Sequence, residues 1–226
     1  MTEITSWKVP GRSFGVLQGA SVRLEPLERR HCAALHMSWA LSPGIWRFLP
    51  YGPFRDAGAY AEWAMAAGAA GDPLFYALDD GAGPAGVASY LRITPLSGIV
   101  EIGHIALSPR LQRSRAATEA LSLMIGRAFE LGYRRVEWKC NAQNHASRRA
   151  AQRLGFSFEG VHRQAAIVKG RNRDTAWFSI IDGEWPALRA RHAAWLAAGN
   201  FDADGRQTRA LSALTAPLLA ATDPAL

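Results

Sequence analysis

Cysteine is scarce: Cys32 and Cys140 are the only two among 226 residues. Two cysteines cannot build a disulfide framework, and their separation matches no metal-ligand spacing. No metal is expected, and a reducing cytoplasm is the default compartment. Long apolar runs are missing as well. None reaches the ~18 residues that read as a membrane-spanning helix, and the opening MTEITSWKVPGRSFG has no apolar core of signal-peptide type. No membrane partner is expected. Internal repeats are absent. So are helix-turn-helix, zinc-finger and RNA-binding aromatic motifs. Acidic residues are the minority charge, 19 Asp and Glu against 26 Lys and Arg, for a formal net charge of +7.

That excess is local. Residues 101–180 hold 14 Lys/Arg and 6 Asp/Glu, a surplus of 8, while the rest holds 12 and 13. Hydrophobic residues make up 49% and charged residues 20%, the balance of a globular domain with a real core. The basic region is also the most regular. Val100, Ile102 and Ile105 to Leu107 read as a strand that stops at Ser108-Pro109. A loop with Arg110, Arg113 and Arg115 follows. Then Ala117, Leu121, Met124, Ile125 and Ala128 take helical spacing, with Gly132 placed as a left-handed cap. RRVEWKC (Arg134 to Cys140) alternates as a strand, and Asn144 is a good N-cap for a second helix that Gly155 ends. The result is a βαβ unit and the start of another. The first helix opens on a basic loop, and unpaired amides plus the helix dipole at such an end attract phosphate.

Three motifs in this stretch carry a resemblance. QRSRAATEA (Gln112 to Ala120) resembles the Gln/Arg-x-x-Gly-x-Gly/Ala pyrophosphate loop of the GNAT superfamily of acyl-CoA N-acyltransferases. NHAS (Asn144 to Ser147) resembles the Asn-x-x-Ser helix start of its RimJ/RimL-type branch, the ribosomal-protein N-acetyltransferase-like enzymes. LGF (Leu154 to Phe156) resembles that branch's helix end. KGRNRDTAWFSIIDGEW, from Lys169, is similar to the closing hairpin of one subgroup, and the resemblance spans Ser21 to Trp195. It implies an α/β (α+β) fold: a mixed, mostly antiparallel sheet of six or seven strands flanked by helices. A central parallel pair would splay to form a cofactor slot.

The cofactor implied is acetyl-CoA. Backbone groups of Ile105, Ala106 and Leu107 would meet its pantetheine arm and supply an oxyanion donor. Gln112, Arg113, Ser114, Arg115, Ala116, Ala117 and Thr118 would hold its phosphates, and Asn144 would bond the arm. A polyanionic cofactor also explains the basic surplus more economically than nucleic acid does. Two departures from the family pattern stand out. Arg115 occupies the position of the loop's Gly, and Ala151 that of the Tyr that protonates the leaving thiolate in many members. Ser147 is the substitute expected for that Tyr.

Transfer to an amine needs a proton acceptor, since an alkyl ammonium has a pKa of roughly 10. Glu101 and His104 lie on the strand that, in the family, runs beside the thioester. Strict alternation puts them on opposite faces, and a bulge would change that. Either is a candidate base. Cys140 reads as a buried structural residue rather than a nucleophile. The aromatic loop SPGIWRFLPYGPF (Ser42 to Phe54) is expected to wall the acceptor site through Trp46 and Tyr51, or to pack on the core, and Trp138 is the third candidate substrate contact.

The domain expectation is an arm over 1–20, a catalytic domain over 21–198 and a tail over 199–226. The tail would dock on the body or on a partner, and a homodimer is a separate candidate assembly. The functional expectation is an acetyl-CoA-dependent N-acetyltransferase acting on a small amine or a protein N-terminus by direct attack. The alternative is an idle CoA-binding or interaction module that uses its basic face.

Overall fold

A computed structural model describes residues 7–40 and 42–226. The first six residues of the expected arm, and Leu41, lie outside the described set. In chain order the elements are β1 (Leu17–Gln18), β2 (Arg23–Pro26), α1 (Arg29–Trp39), α2 (Ala57–Gly68), β3 (Leu74–Asp79), β4 (Pro84–Thr94) and β5 (Ile99–Leu107). Then come α3 (Arg115–Glu130), β6 (Arg135–Asn141), α4 (His145–Arg153), β7 (Ser157–Val168), β8 (Arg171–Ile181), α5 (Trp185–Leu196) and α6 (Leu211–Thr215). The strands form one sheet in the order β1-β2-β3-β4-β5-β6-β8-β7. Every neighbouring pair is antiparallel except β5 and β6. Among the described residues the sheet has eight strands rather than six or seven, because Leu17–Gln18 of the expected arm pairs with Arg23 and Leu24.

Alternation sorts the side chains onto two faces. On one, Val100, Ile102, Val136 and Phe178 pack under α3, α4, α5 and α6. On the other, Ala77, Val87 and Ala106 pack under α1 and α2 with the aromatic loop. Leu121, Met124, Ile125 and Ala128 form the buried face of α3, as their spacing predicts. Gly132, at φ +94, turns the chain after that helix, and Tyr133 N–H returns to Ala128 O at 3.2 Å. The arm's described part is seated: Phe14 stacks on buried Tyr90 at 3.8 Å between centroids.

Two features position the site. First, β5 and β6 pair only over Ile99–Glu101 with Arg135–Glu137. Beyond Glu101 they part, so the β5 edge from Gly103 to Leu107 faces an opening. Second, the tail docks. Leu211 and Leu214 join the core beside α5, Phe158 N–H reaches Ala221 O at 3.0 Å, and Asp223 is buried against Arg148.

Candidate active site

A bulge in β5 organises the site. Val87 faces Ala106 and Ser89 faces Gly103, so β5 carries one residue more than β4 between those pairs. His104 sits there at φ +50, a left-handed conformation that His tolerates better than most residues. The extra residue resets the alternation. Ile105 turns toward the α3 face and Ala106 toward α1 and α2. His104 now shares a cavity with Glu101, where strict alternation would have parted them.

This first cavity has a volume of about 180 Å³. Its floor is Glu101 to Ile105, its side Trp138 to Asn141 with Asn144 and Ser147, and its roof Ile45 and Phe48 to Pro50 of the aromatic loop. Arg173 closes one end. Glu101 is 6% exposed. Its Oε2 lies 3.1 Å from Lys139 Nζ and 3.5 Å from Arg92 Nε. Those contacts are ion pairs without the angles of hydrogen bonds. Burial raises the Glu101 pKa against the pull of the two cations. Lys139 also reaches Glu137 at 2.7 Å and sits 3.6 Å from the Trp177 ring centroid. Burial drives His104 the other way, to about 4, and Arg173 adds to the drop. At neutral pH the imidazole is uncharged, with a lone pair to offer.

A second cavity, of about 710 Å³, lies between the start of α3 and the face of α4 that runs from Ala146 to Arg153. Leu107, Arg113 to Arg115, Ala117 and Thr118 line one side, and Ala146, Arg149, Ala150 and Arg153 the other. Ser114 caps α3, its Oγ accepting from Ala117 N–H at 3.0 Å. The amides of Arg113, Arg115 and Ala116 find no acceptor among the described residues. They are the orphan donors of a helix start, suited to an anion. The left-handed residue of this loop is Arg113, at φ +58. Arg115 is already helical, so its replacement of the usual Gly strains nothing there. Its side chain turns away from the amides to donate to Leu196 O, and it lies 4.7 Å from the Phe201 ring centroid. Trp195, Phe201 and Gln207 then wall the cavity's far side.

Other expected contacts fall as follows. Gln112 Nε2 donates to Leu107 O at 3.0 Å, bracing the end of β5. Asn144 is the N-cap of α4, its Oδ1 accepting from Ser147 N–H at 3.2 Å, and it also lines the first cavity. Ser147 Oγ accepts from Trp138 Nε1 at 3.0 Å, which leaves its hydroxyl proton free to donate. Cys140 lines the same cavity, but burial pushes its thiol up to about 11. Thiolate at neutral pH would be about one part in 10⁴, too little for a nucleophile.

Trp46 and Tyr51 do not line the cavity. Trp46 is 6% exposed and packs edge-on against Trp39 and Phe54. Tyr51 stands behind the wall, its ring 5.4 Å from that of His104. The loop reaches the cavity through Ile45, Phe48, Leu49 and Pro50 instead.

Sequence reasoning missed Lys139, Arg173 and the tail's wall. Lys139 had a signal: it faces the same side as Glu137 in an alternating strand beside Glu101. Nothing local marks Arg173 or Phe201, because only the folded hairpin and tail bring them to the site.

The comparisons agree with this geometry. Residues 21–157 match the family model of the acetyltransferase (GNAT) domain. A solved GCN5-related N-acetyltransferase from Brucella melitensis is 43% identical with a TM-score of 0.87, over 92% of this chain and 96% of that one. A probable acetyltransferase (GNAT family) from Chromobacterium violaceum is also 43% identical, with a TM-score of 0.79, over 83% and 96%. RimL, a ribosomal L7/L12 alpha-N-protein acetyltransferase, is 24% identical with a TM-score of 0.64, over 74% and 93%, and shares the fold. No curated protein matches the chain.

Proposed function

Because the chain belongs to the acetyltransferase (GNAT) family, we propose that it moves an acetyl group from acetyl-CoA to a primary amine by direct attack in a ternary complex. The observation that carries this reading is the parting of β5 and β6 between two cavities. One presents a buried carboxylate and a neutral imidazole, the other a helix start with free amides. A thioester lying in the opening would meet an amine from the first cavity, while its phosphates rest on the second. The Asn144/Ser147 and Leu154-Gly155-Phe156 motifs support placement in the RimJ/RimL-type branch.

The residues divide the work by their shifts. Glu101 Oε2 is held by Lys139 and Arg92, which leaves Oε1 to take the amine proton. Its raised pKa makes it the better base of the pair. His104, neutral at working pH, accepts a second N–H and aims the nitrogen lone pair. The nitrogen attacks the thioester carbonyl, the second N–H proton passes to His104, and the C–N bond forms as the C–S bond breaks and coenzyme A leaves as the thiolate. Backbone groups on the free edge of β5 oppose the developing oxyanion. Ser147, its lone pair engaged by Trp138, hydrogen-bonds the departing sulfur. Cys140, held as a thiol, takes no part.

The test is acetyl-CoA with a panel of amines, following free thiol and the mass of the amine. Thiol release coupled to amine acetylation is expected. Tight CoA binding without turnover of any amine would make the chain a CoA-binding module instead.

A further inference from the structure

Arg173 carries a charge that no carboxylate among the described residues pairs with. It lies on β8 two residues beyond the last pair with β6, Asn141 with Thr175, and lines the cavity that holds Glu101 and His104. Its Nε is shielded from solvent and has no hydrogen-bond partner, and among the described residues it forms no ion pair. Glu101 does not offset it, because Lys139 and Arg92 already flank that carboxylate. A second cleft, of about 340 Å³, continues outward from Arg173 and shares Phe48 and Asn141 with the first. It adds Arg47, Lys169 and Arg171, and no Asp or Glu among the described residues lines it. Lys169 Nζ donates to Trp46 O at 2.9 Å and Tyr51 O at 3.0 Å. That pins the β7–β8 turn over the mouth and brings its charge there without a carboxylate. The α3 amides suited to the cofactor's phosphates line a different cavity.

Arg173 is half-buried, with its Nε shielded and unpaired; such a guanidinium gains from an anionic ligand, to which it can offer two parallel N–H bonds. We infer that the acceptor is a small amine that also carries an anionic group, a carboxylate or a phosphate. Arg173 binds that group at the mouth, and the amine is thereby turned toward Glu101 and His104. This inference rests on the amine-acetylation reading and adds the chemistry of the acceptor's far end.

Matched pairs test it: amino acids against their primary amides for the carboxylate, and O-phosphoethanolamine against ethanolamine for the phosphate. One charge-assisted contact predicts kcat/KM about ten- to a hundredfold higher for the charged member of at least one pair. Which pair responds tells carboxylate from phosphate. Arg173→Gln should bring that ratio near one, and Arg173→Lys should restore part of it. Equal or neutral-favouring ratios in the wild type, or a ratio that survives Arg173→Gln, overturn the inference. If no amine releases thiol, the acetylation reading fails separately. The anion site is then judged by titrating inorganic phosphate and succinate into the CoA-saturated protein by calorimetry. Binding lost in Arg173→Gln supports the site, and no binding to the wild type overturns it.

Discussion

Asp223→Ala removes the anchor of the C-terminal tail, and its cost can be worked from the contacts. The Asp223 side chain is fully buried and that of Arg148 is 6% exposed. Arg148 Nε donates to Oδ2 at 2.5 Å, Nη2 donates to Oδ1, and Nη1 donates to Ala142 O at 2.7 Å. Without the carboxylate, Nε and Nη2 lose their acceptors and a buried cation loses its counter-ion. Breaking such a pair costs about 3–5 kcal/mol. In a chain of this length each kcal/mol moves Tm by about 2–4 °C, so a fall of about 6–20 °C is expected in reversible thermal unfolding. Release of the tail would let water reach Arg148, but would expose Leu211 and Leu214 at about 1.5–3 kcal/mol each. Both routes give a large loss. Arg148 follows Ser147 on α4, and its Nη1 braces the turn before Asn144. The acetyl-CoA Kd should therefore rise with the loss of stability. A Tm within about 2 °C of the wild type, equivalent to less than about 1 kcal/mol, would refute the claim that this pair holds the tail.

Glu101→Gln should lower kcat by about 10²-fold or more and remove the acid limb of the pH–rate profile, whereas His104→Ala should lower kcat and keep the limb. The reverse pattern would make His104 the base. Arg115→Ala should raise the acetyl-CoA Kd by loosening the wall at Leu196 and Phe201, with little dependence on salt. A loss that shrinks strongly at high salt would instead mean direct phosphate contact. His104 and His192 each titrate near 4 in the fold, both chiefly through burial. An unfolded His takes its proton near 6.5, so stability from these two is intact above that pH and falls as pH drops toward 4. The size is on the order of 3 kcal/mol each. Glu101, with its raised pKa, acts in the opposite sense. Urea unfolding across this range should show the acid loss, and His192→Gln should flatten it.

The central unit was legible because local chemistry dictates it. Ser108-Pro109 stops β5, Asn144 caps a helix, Gly132 and Gly155 end helices, and the periods of 2 and 3.6 separate strand from helix. The bulge was not legible. The left-handed residue is His104, while the neighbouring Gly103, the more permissive residue, keeps an ordinary backbone. The choice is made by strand pairing, which no local pattern encodes. Trp46 illustrates a second limit. A loop rich in aromatics reads equally as substrate wall or core, and packing against Trp39 and Phe54 decided for the core. The tail illustrates a third. The sequence from Asn200 onward is polar and then rich in Ala and Leu, and its seat depends on Arg148, seventy-five residues away.

The most direct measurement is the structure of the protein with acetyl-CoA bound. The pyrophosphate is expected on the amides between Arg113 and Thr118, and the thioester in the opening between β5 and β6, with its sulfur beside Ser147 and its carbonyl facing the Glu101 cavity. A cofactor bound elsewhere, or a thioester turned away from that opening, would contradict this placement.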